Sequence, residues 1–177
     1  MPTYFERNSY LKKFYFSLTG IERILLLSSV FSMVLVIIRV AMTGSKMFLF
    51  LPWNLLLAFI PYYITKKLMA HPAWIENKWK LAAASLLWLL FIPNSFYIIT
   101  DLFHLGKYDE APRWFDLTLI FSFAWNGLVF GIVSVKQMES IVLLSYPAPR
   151  YGWLFIYFIM WLNALGIFIG RFLRFNS

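Results

Sequence analysis

Residues 24–42 read ILLLSSVFSMVLVIIRVAM, nineteen positions with a single charge among them. A helix crosses the hydrocarbon core of a bilayer in about 20 predominantly apolar residues, so this stretch predicts a membrane span. Four more stretches of the same kind follow, at residues 48–65, 81–100, 114–135 and 151–170. Their apolar runs are continuous and lack the two-residue alternation of a transmembrane barrel strand. The expected fold is therefore all-α, a polytopic transmembrane helical bundle of about five spans. Pro52 and Pro61 are expected to interrupt the second span, and Pro93 the third, because proline removes an intrahelical hydrogen bond.

Composition points the same way. The chain has 177 residues, 61% hydrophobic and 14% charged, and a chain of this size has too little interior to bury so much apolar surface in water. Cysteine is absent, which excludes disulfides, thiol chemistry and Cys-based metal sites. Neither G-x-S-x-G, H-E-x-x-H, a P-loop nor G-x-G-x-x-G occurs in the sequence.

The chain divides into a basic, aromatic segment over 1–20 and one transmembrane domain over 21–177. Tyr4, Phe5, Tyr10, Leu11, Phe14, Tyr15 and Leu18 fit an amphipathic helix on the membrane surface. No small-residue cleavage pattern of a signal peptide is evident there. Orientation follows from lysine and arginine placement. Arg7, Lys12, Lys13, Arg23, Lys66, Lys67, Lys78, Lys80, Lys136 and Arg150 fall on one side, ten against six. The six are Arg39, Lys46, Lys107, Arg113, Arg171 and Arg174. The N-terminus is thus expected in the cytoplasm and the loop 101–113 outside, in a cytoplasmic (inner) membrane. The net charge of +8 suits contact with anionic lipid. Nucleic acid is not an expected partner, since no soluble domain carries a basic patch.

The informative residues are polar ones in the spans, where they need a partner or a purpose. Asn54, Asn94, Asn126 and Asn163 place one asparagine in each of spans two to five, where interhelical hydrogen bonding is the ordinary role. Residues 91–104 read FIPNSFYIITDLFH. Asn94, Tyr97, Asp101, His104 and Tyr108 are spaced three, four, three and four, which puts them on one face of an α-helix. Asp101 and His104 are candidates for acid/base catalysis, because a carboxylate beside an imidazole poises it to exchange protons. An interfacial cap at the head groups accounts for the same pair. Asp116 opens the fourth span on the same side, where a helix N-terminus favours negative charge. Arg171 and Arg174 close the fifth. The candidate ligand-binding set is Asn94, Tyr97, Asp101, His104, Asp116, Arg171 and Arg174. Asp101, His104 and Asp116 form a weak pattern for a hard divalent ion, and no cofactor is expected.

Gly127 and Gly131, and again Gly166 and Gly170, form G-x-x-x-G, a spacing that lets helix backbones approach closely. Spans four and five are expected to pack on span three. A homodimer through one of these faces is the alternative.

The motif Pro93-Asn94-x-x-Tyr97-x-x-Thr100-Asp101-Leu102-x-His104 resembles the hallmark of a family of small bacterial multi-span inner-membrane proteins of unknown function. The likeness extends to Trp53-Asn54-Leu55, to Trp114-Phe115-Asp116 and to Gly170-Arg171-Phe172-Leu173-Arg174-x-Asn176-Ser177. It implies a polytopic membrane protein and supplies no activity. The resemblance also implies that Trp-Asp and a further hydrophobic segment follow the last motif, whereas this sequence stops at Ser177.

Three functions fit these residues. The first is a binding or accessory protein whose external polar site takes a ligand, a lipid head group or a protein partner. The second is a membrane enzyme using Asp101 and His104, with or without a metal. The third is a small proton- or ion-coupled transporter along the Asn94–His104 stripe. A faint likeness between Phe50-Leu51-Pro52-Trp53-Asn54 and Phe91-Ile92-Pro93-Asn94 hints at the repeats that transporters use.

Overall fold

A computed structural model of the chain describes the backbone of residues 4–106, 110–145 and 148–172, with side chains over residues 20–106, 110–144 and 148–170. Among the described residues there are six α-helices: α1 (Tyr4–Thr43), α2 (Phe50–Ala70), α3 (Pro72–Glu76), α4 (Lys78–Tyr97), α5 (Arg113–Ser145) and α6 (Pro149–Phe172). No strand occurs among the described residues. Among the described residues, five segments are long and apolar enough to cross a membrane: Gly20–Thr43, Met47–Ala70, Lys78–His104, Arg113–Leu144 and Pro149–Gly170. Each contains one of the five expected spans or matches it closely. The surface segment expected over 1–20 is helical from Tyr4 and continuous with the first span. Its side chains, and residues 1–3, lie outside the described residues.

The centre of the bundle is α5. Most of its apolar window is buried (61%), against a third or less in the other four spans. Leu119, Ile120 and Phe123 on α5 are completely buried, packed with Leu51 and Leu55 of α2 and with Leu35 and Val36 of α1. A second apolar cluster, with Trp88, Ile92, Val135, Met138 and Ile159, ties α4 and α6 to the far half of α5.

Glycine decides how closely the third span approaches. A Cβ added at Gly127 would lie 2.4 Å from Ile98 Cγ2, and one at Gly131 would lie 2.9 Å from Ser95 Cβ. A Cβ at Gly166 would meet the Pro93 ring at 3.1 Å, and one at Gly170 would face the Tyr97 ring at 3.7 Å. Both G-x-x-x-G motifs therefore receive the chain's own third span, so spans four and five pack on span three.

The prolines act differently from one another. Pro52 sits in the first turn of α2 and breaks nothing there, because the first N–H groups of a helix have no intrahelical partner. The expected interruption at Pro52 is thus not found. Pro61 is inside α2, and near it Ser95 Oγ donates to the Ala58 carbonyl at 2.9 Å. Pro93 is inside α4, which ends at Tyr97 and continues as a 3₁₀ helix, Ile98–His104. Seven residues is long for this tighter, less well bonded form.

Polar side chains cross-link the spans at mid-depth. Asn126 Nδ2 donates to Ser32 Oγ at 3.0 Å, Trp88 Nε1 donates to Ser134 Oγ at 2.7 Å, and Thr65 Oγ1 donates to Gln137 Oε1. Of the four asparagines, Asn54 and Asn126 bond across helices. Asn94 and Asn163 donate to carbonyls of their own helices, Phe91 and Ile159.

Candidate functional site

Among the described residues the buried charges are Arg39, Asp101 and Asp116. All three lie at the same end of the bundle. There α1 stops, the 3₁₀ segment follows α4, and α5 begins.

Arg39 comes from the last turns of α1. Its Nε donates to Asp116 Oδ1 at 2.7 Å and its Nη2 to Oδ2 at 3.4 Å, the two-pronged fit a guanidinium makes to a carboxylate. Its Nη1 donates to Thr43 Oγ1 and lies 3.5 Å from Glu110 Oε2. The guanidinium also sits 5.3 Å from the centre of the Phe48 ring. Thr43 returns a hydrogen bond to the Arg39 carbonyl at 2.8 Å. Just beyond it, Gly44 takes φ +68° and donates to the Val40 carbonyl at 2.8 Å. That left-handed turn caps the helix at no steric cost. Asp116 lies in the first turn of α5, where the helix dipole favours its charge.

Asp101 is 2% exposed, and its Oδ2 accepts from Asn54 Nδ2 of α2 at 2.8 Å. His104 follows one 3₁₀ turn later. Its Nδ1 lies 3.2 Å from the Asp101 carbonyl oxygen, and its ring packs against Phe50 at 5.1 Å between centroids. Phe50 in turn touches Phe48, at 6.3 Å. An aromatic layer thus joins the Arg39–Asp116 pair to the Asp101–His104 segment.

The expected single stripe divides. At Tyr97 the chain changes from about 100° to about 120° per residue, so Asp101 and His104 no longer continue the face begun by Asn94 and Tyr97. Tyr97 packs over Gly170 of α6, whereas Asp101 meets α2. Tyr108, Arg174 and the side chain of Arg171 lie outside the described residues. No group of three His, Cys, Asp or Glu side chains that could hold a metal occurs among the described residues, and the Asp116 carboxylate is engaged by Arg39.

A family model described as a protein of unknown function (DUF1361) matches residues 53–177. The chain belongs to that family. No curated protein and no solved structure matches it. The part matching DUF1361 contributes Asn54, Asp101, His104 and Asp116 to the charged end. Arg39, Phe48 and Phe50 come from the preceding residues.

Sequence reasoning did not single out Arg39 or Glu110 and assigned Asn54 only a general bonding role. A signal for Arg39 was present: it stands inside the apolar run 24–42, seven residues after Ser32. Two turns apart, the two share a helix face, and both are buried against α5.

Proposed function

We propose that this DUF1361 protein is a membrane-embedded binding or accessory protein whose site is the charged end of the bundle. The residues assigned to it are Asp101, His104 and Asp116, with Arg39 and Asn54 as their partners. Asn94, Tyr97, Arg171 and Arg174 extend the set toward α6. The observation that carries this reading is the confinement of every buried charge among the described residues to one end. An ion pair in a low-dielectric interior is weak at stabilising a fold, because desolvation offsets the attraction and apolar residues of the same volume often do as well. Ionisable groups at membrane depth mark sites by default. The occupant is a polar group, whether of a small ligand, a lipid head group or a protein partner, and no cofactor enters the proposal. We place the protein in a bacterial inner membrane with the N-terminus in the cytoplasm and this end outside, on the distribution of Lys and Arg.

Binding is favoured over conduction by one observation. Below the charged layer, Leu119, Ile120, Phe123 and Ile98 are each completely buried. They form an apolar plug between Asp116 and the next polar layer, Asn126 with Ser32.

The test is thermal unfolding of the purified chain against a panel of ammonium, carboxylate, phosphate and sugar compounds. A ligand that binds only the folded state raises its stability in proportion to occupancy. The expected result is a compound that raises the midpoint of wild type but not of Asp101→Asn or His104→Ala. The reading is overturned if every compound acts equally on wild type and on both variants while the variants remain folded.

A further inference from the structure

Two apolar grooves run along the flanks of α2, and both reach Lys67 and His71 at the end away from the charged cluster. One, a cavity of about 680 Å³, lies between α1 and α2, walled by residues such as Leu25, Met33, Leu56 and Phe59. The other, of about 570 Å³, lies between α2 and the α3–α4 corner, walled by residues such as Leu68, Ala83, Ala84 and Leu87. They share three lining residues: Tyr63, Lys67 and His71. Tyr63 and Lys67 stand four residues apart on one exposed edge of α2, His71 follows directly after its last residue, and together they form the ridge between the grooves.

The cations at the groove mouths are not equivalent. Lys66 is bound by Glu22 at 2.8 Å, and Glu22 also accepts from the Tyr62 hydroxyl at 2.9 Å. Lys67 instead stands over the Tyr63 ring, 5.4 Å from its centre, and Lys80 stands over Trp74 at 5.9 Å. Neither of these has a carboxylate partner among the described residues. Aromatic faces orient an ammonium without neutralising it, so the ridge and the second groove present two positive charges to an anion.

We propose that an anionic diacyl phospholipid sits astride this edge of α2, one acyl chain in each groove and its phosphate on Lys67 and Lys80. Two apolar channels that meet at a cation match two chains joined at one phosphate. The Lys67 ridge would split the continuous apolar seam that a partner helix needs. Glu22, the one carboxylate among the described lining residues of the two grooves, is already taken by Lys66 and Tyr62 and is not free for the ammonium of a zwitterionic head group. Ser29, whose buried Oγ has no hydrogen-bond partner, lies on the wall of the first groove. It stands about 10 Å along α1 from Glu22, level with the upper part of an acyl chain rather than with the phosphate.

The test is native mass spectrometry of the full chain, released from detergent with either dioleoyl phosphatidylglycerol or dioleoyl phosphatidylcholine. Wild type should retain one phosphatidylglycerol in clear preference to phosphatidylcholine. Lys67→Ala combined with Lys80→Ala should weaken that retention roughly 25-fold, the share of two basic residues at a lipid surface. Both side chains are exposed, so the fold should survive, and the thermal midpoint checks that. Lys136→Ala, an exposed lysine on α5, should change nothing. Lysophosphatidylglycerol should bind at least tenfold more weakly than the diacyl lipid, and free glycerol phosphate should not displace it. Equal retention of the two diacyl lipids, full retention by the double variant, equal binding of the lysolipid, or displacement by glycerol phosphate would each overturn the proposal. So would recovery of a bound peptide in place of lipid at these residues.

Discussion

Among the described residues, each end of the bundle ties α1 to another span through an ion pair, and the surroundings of the two pairs are opposite. Arg39 and Asp116 are 1% and 4% exposed in their side chains, whereas Lys66 and Glu22 are 34% and 27% exposed. The bond lengths are nearly the same, 2.7 and 2.8 Å, so geometry does not distinguish them. Access to water does. A pair about a third exposed exchanges one set of hydrogen bonds for another and contributes little. A buried pair is committed: either partner alone is an uncompensated charge in a medium that cannot solvate it.

Arg39→Met should therefore show the largest effect of any single change here. It leaves the buried Asp116 carboxylate without its guanidinium, a loss of about 3–5 kcal/mol. Denaturant unfolding in mixed micelles measures it. The double variant Arg39→Met with Asp116→Leu should recover most of that loss, since an apolar pair of similar volume is often as stable. Failure of the double variant to recover would mean that Thr43 and Glu110, the other partners of Arg39, matter as much as Asp116.

Asn54→Leu ranks next. It removes the donor to Asp101 Oδ2 and leaves that carboxylate with one hydrogen bond fewer in a buried place, at a cost of about 1–3 kcal/mol. Asp101→Asn should cost less, because an amide oxygen can still accept from Asn54 while the charge is gone. If the order of the two is reversed, the carboxylate charge itself is being held by more than Asn54. Unfolding of both variants in the same micelles decides it.

Gly127→Ala tests the seam between spans three and four, away from the charges. Its Cβ would fall 2.4 Å from Ile98 Cγ2 and 3.3 Å from the Ser95 carbonyl oxygen, and Ile98 is completely buried. Overpacking a tight interior costs about 1–3 kcal/mol, and the better helix propensity of alanine returns at most about 1 kcal/mol of that. The Asp101 segment begins at Ile98, so displacing Ile98 should also disturb ligand protection at the charged end. Gly20→Ala, which meets nothing within 4 Å, is the matched control.

The five spans were legible because the hydrocarbon core demands some 20 apolar residues at a stretch, a signal no other class of protein produces. Their packing was legible at the glycines, since only a missing Cβ permits the approach of Ile98 to Gly127. The charged end was read in part. Asp101, His104 and Asp116 stand out because charge is scarce in this chain. Arg39 did not, because a cation a few residues from a span's end resembles a snorkelling side chain, and its carboxylate lies 77 positions away. The Asn94–His104 stripe was read with a constant 100° per residue. The chain changes to 3₁₀ winding after Tyr97, where Ile98 is completely buried against α5. That contact joins residues far apart in the sequence, which a fixed helical period cannot represent.

The smallest effect should come from Lys66→Gln. Its removal frees Glu22 of a partner that is a third exposed, and Glu22 keeps the Tyr62 hydroxyl at 2.9 Å. The loss should be at most about 1 kcal/mol. Salt separates this pair from the other in a way that mutation alone does not. Raising ionic strength toward 1 M shortens the screening length to about 3 Å, which should erase the difference between wild type and Lys66→Gln while leaving the deficit of Arg39→Met in place. A Lys66→Gln deficit that persists at high salt would show that the Lys66–Glu22 pair is shielded as thoroughly as Arg39–Asp116. The two ends would then differ in sequence alone, and burial of charge would no longer distinguish the charged end from the other.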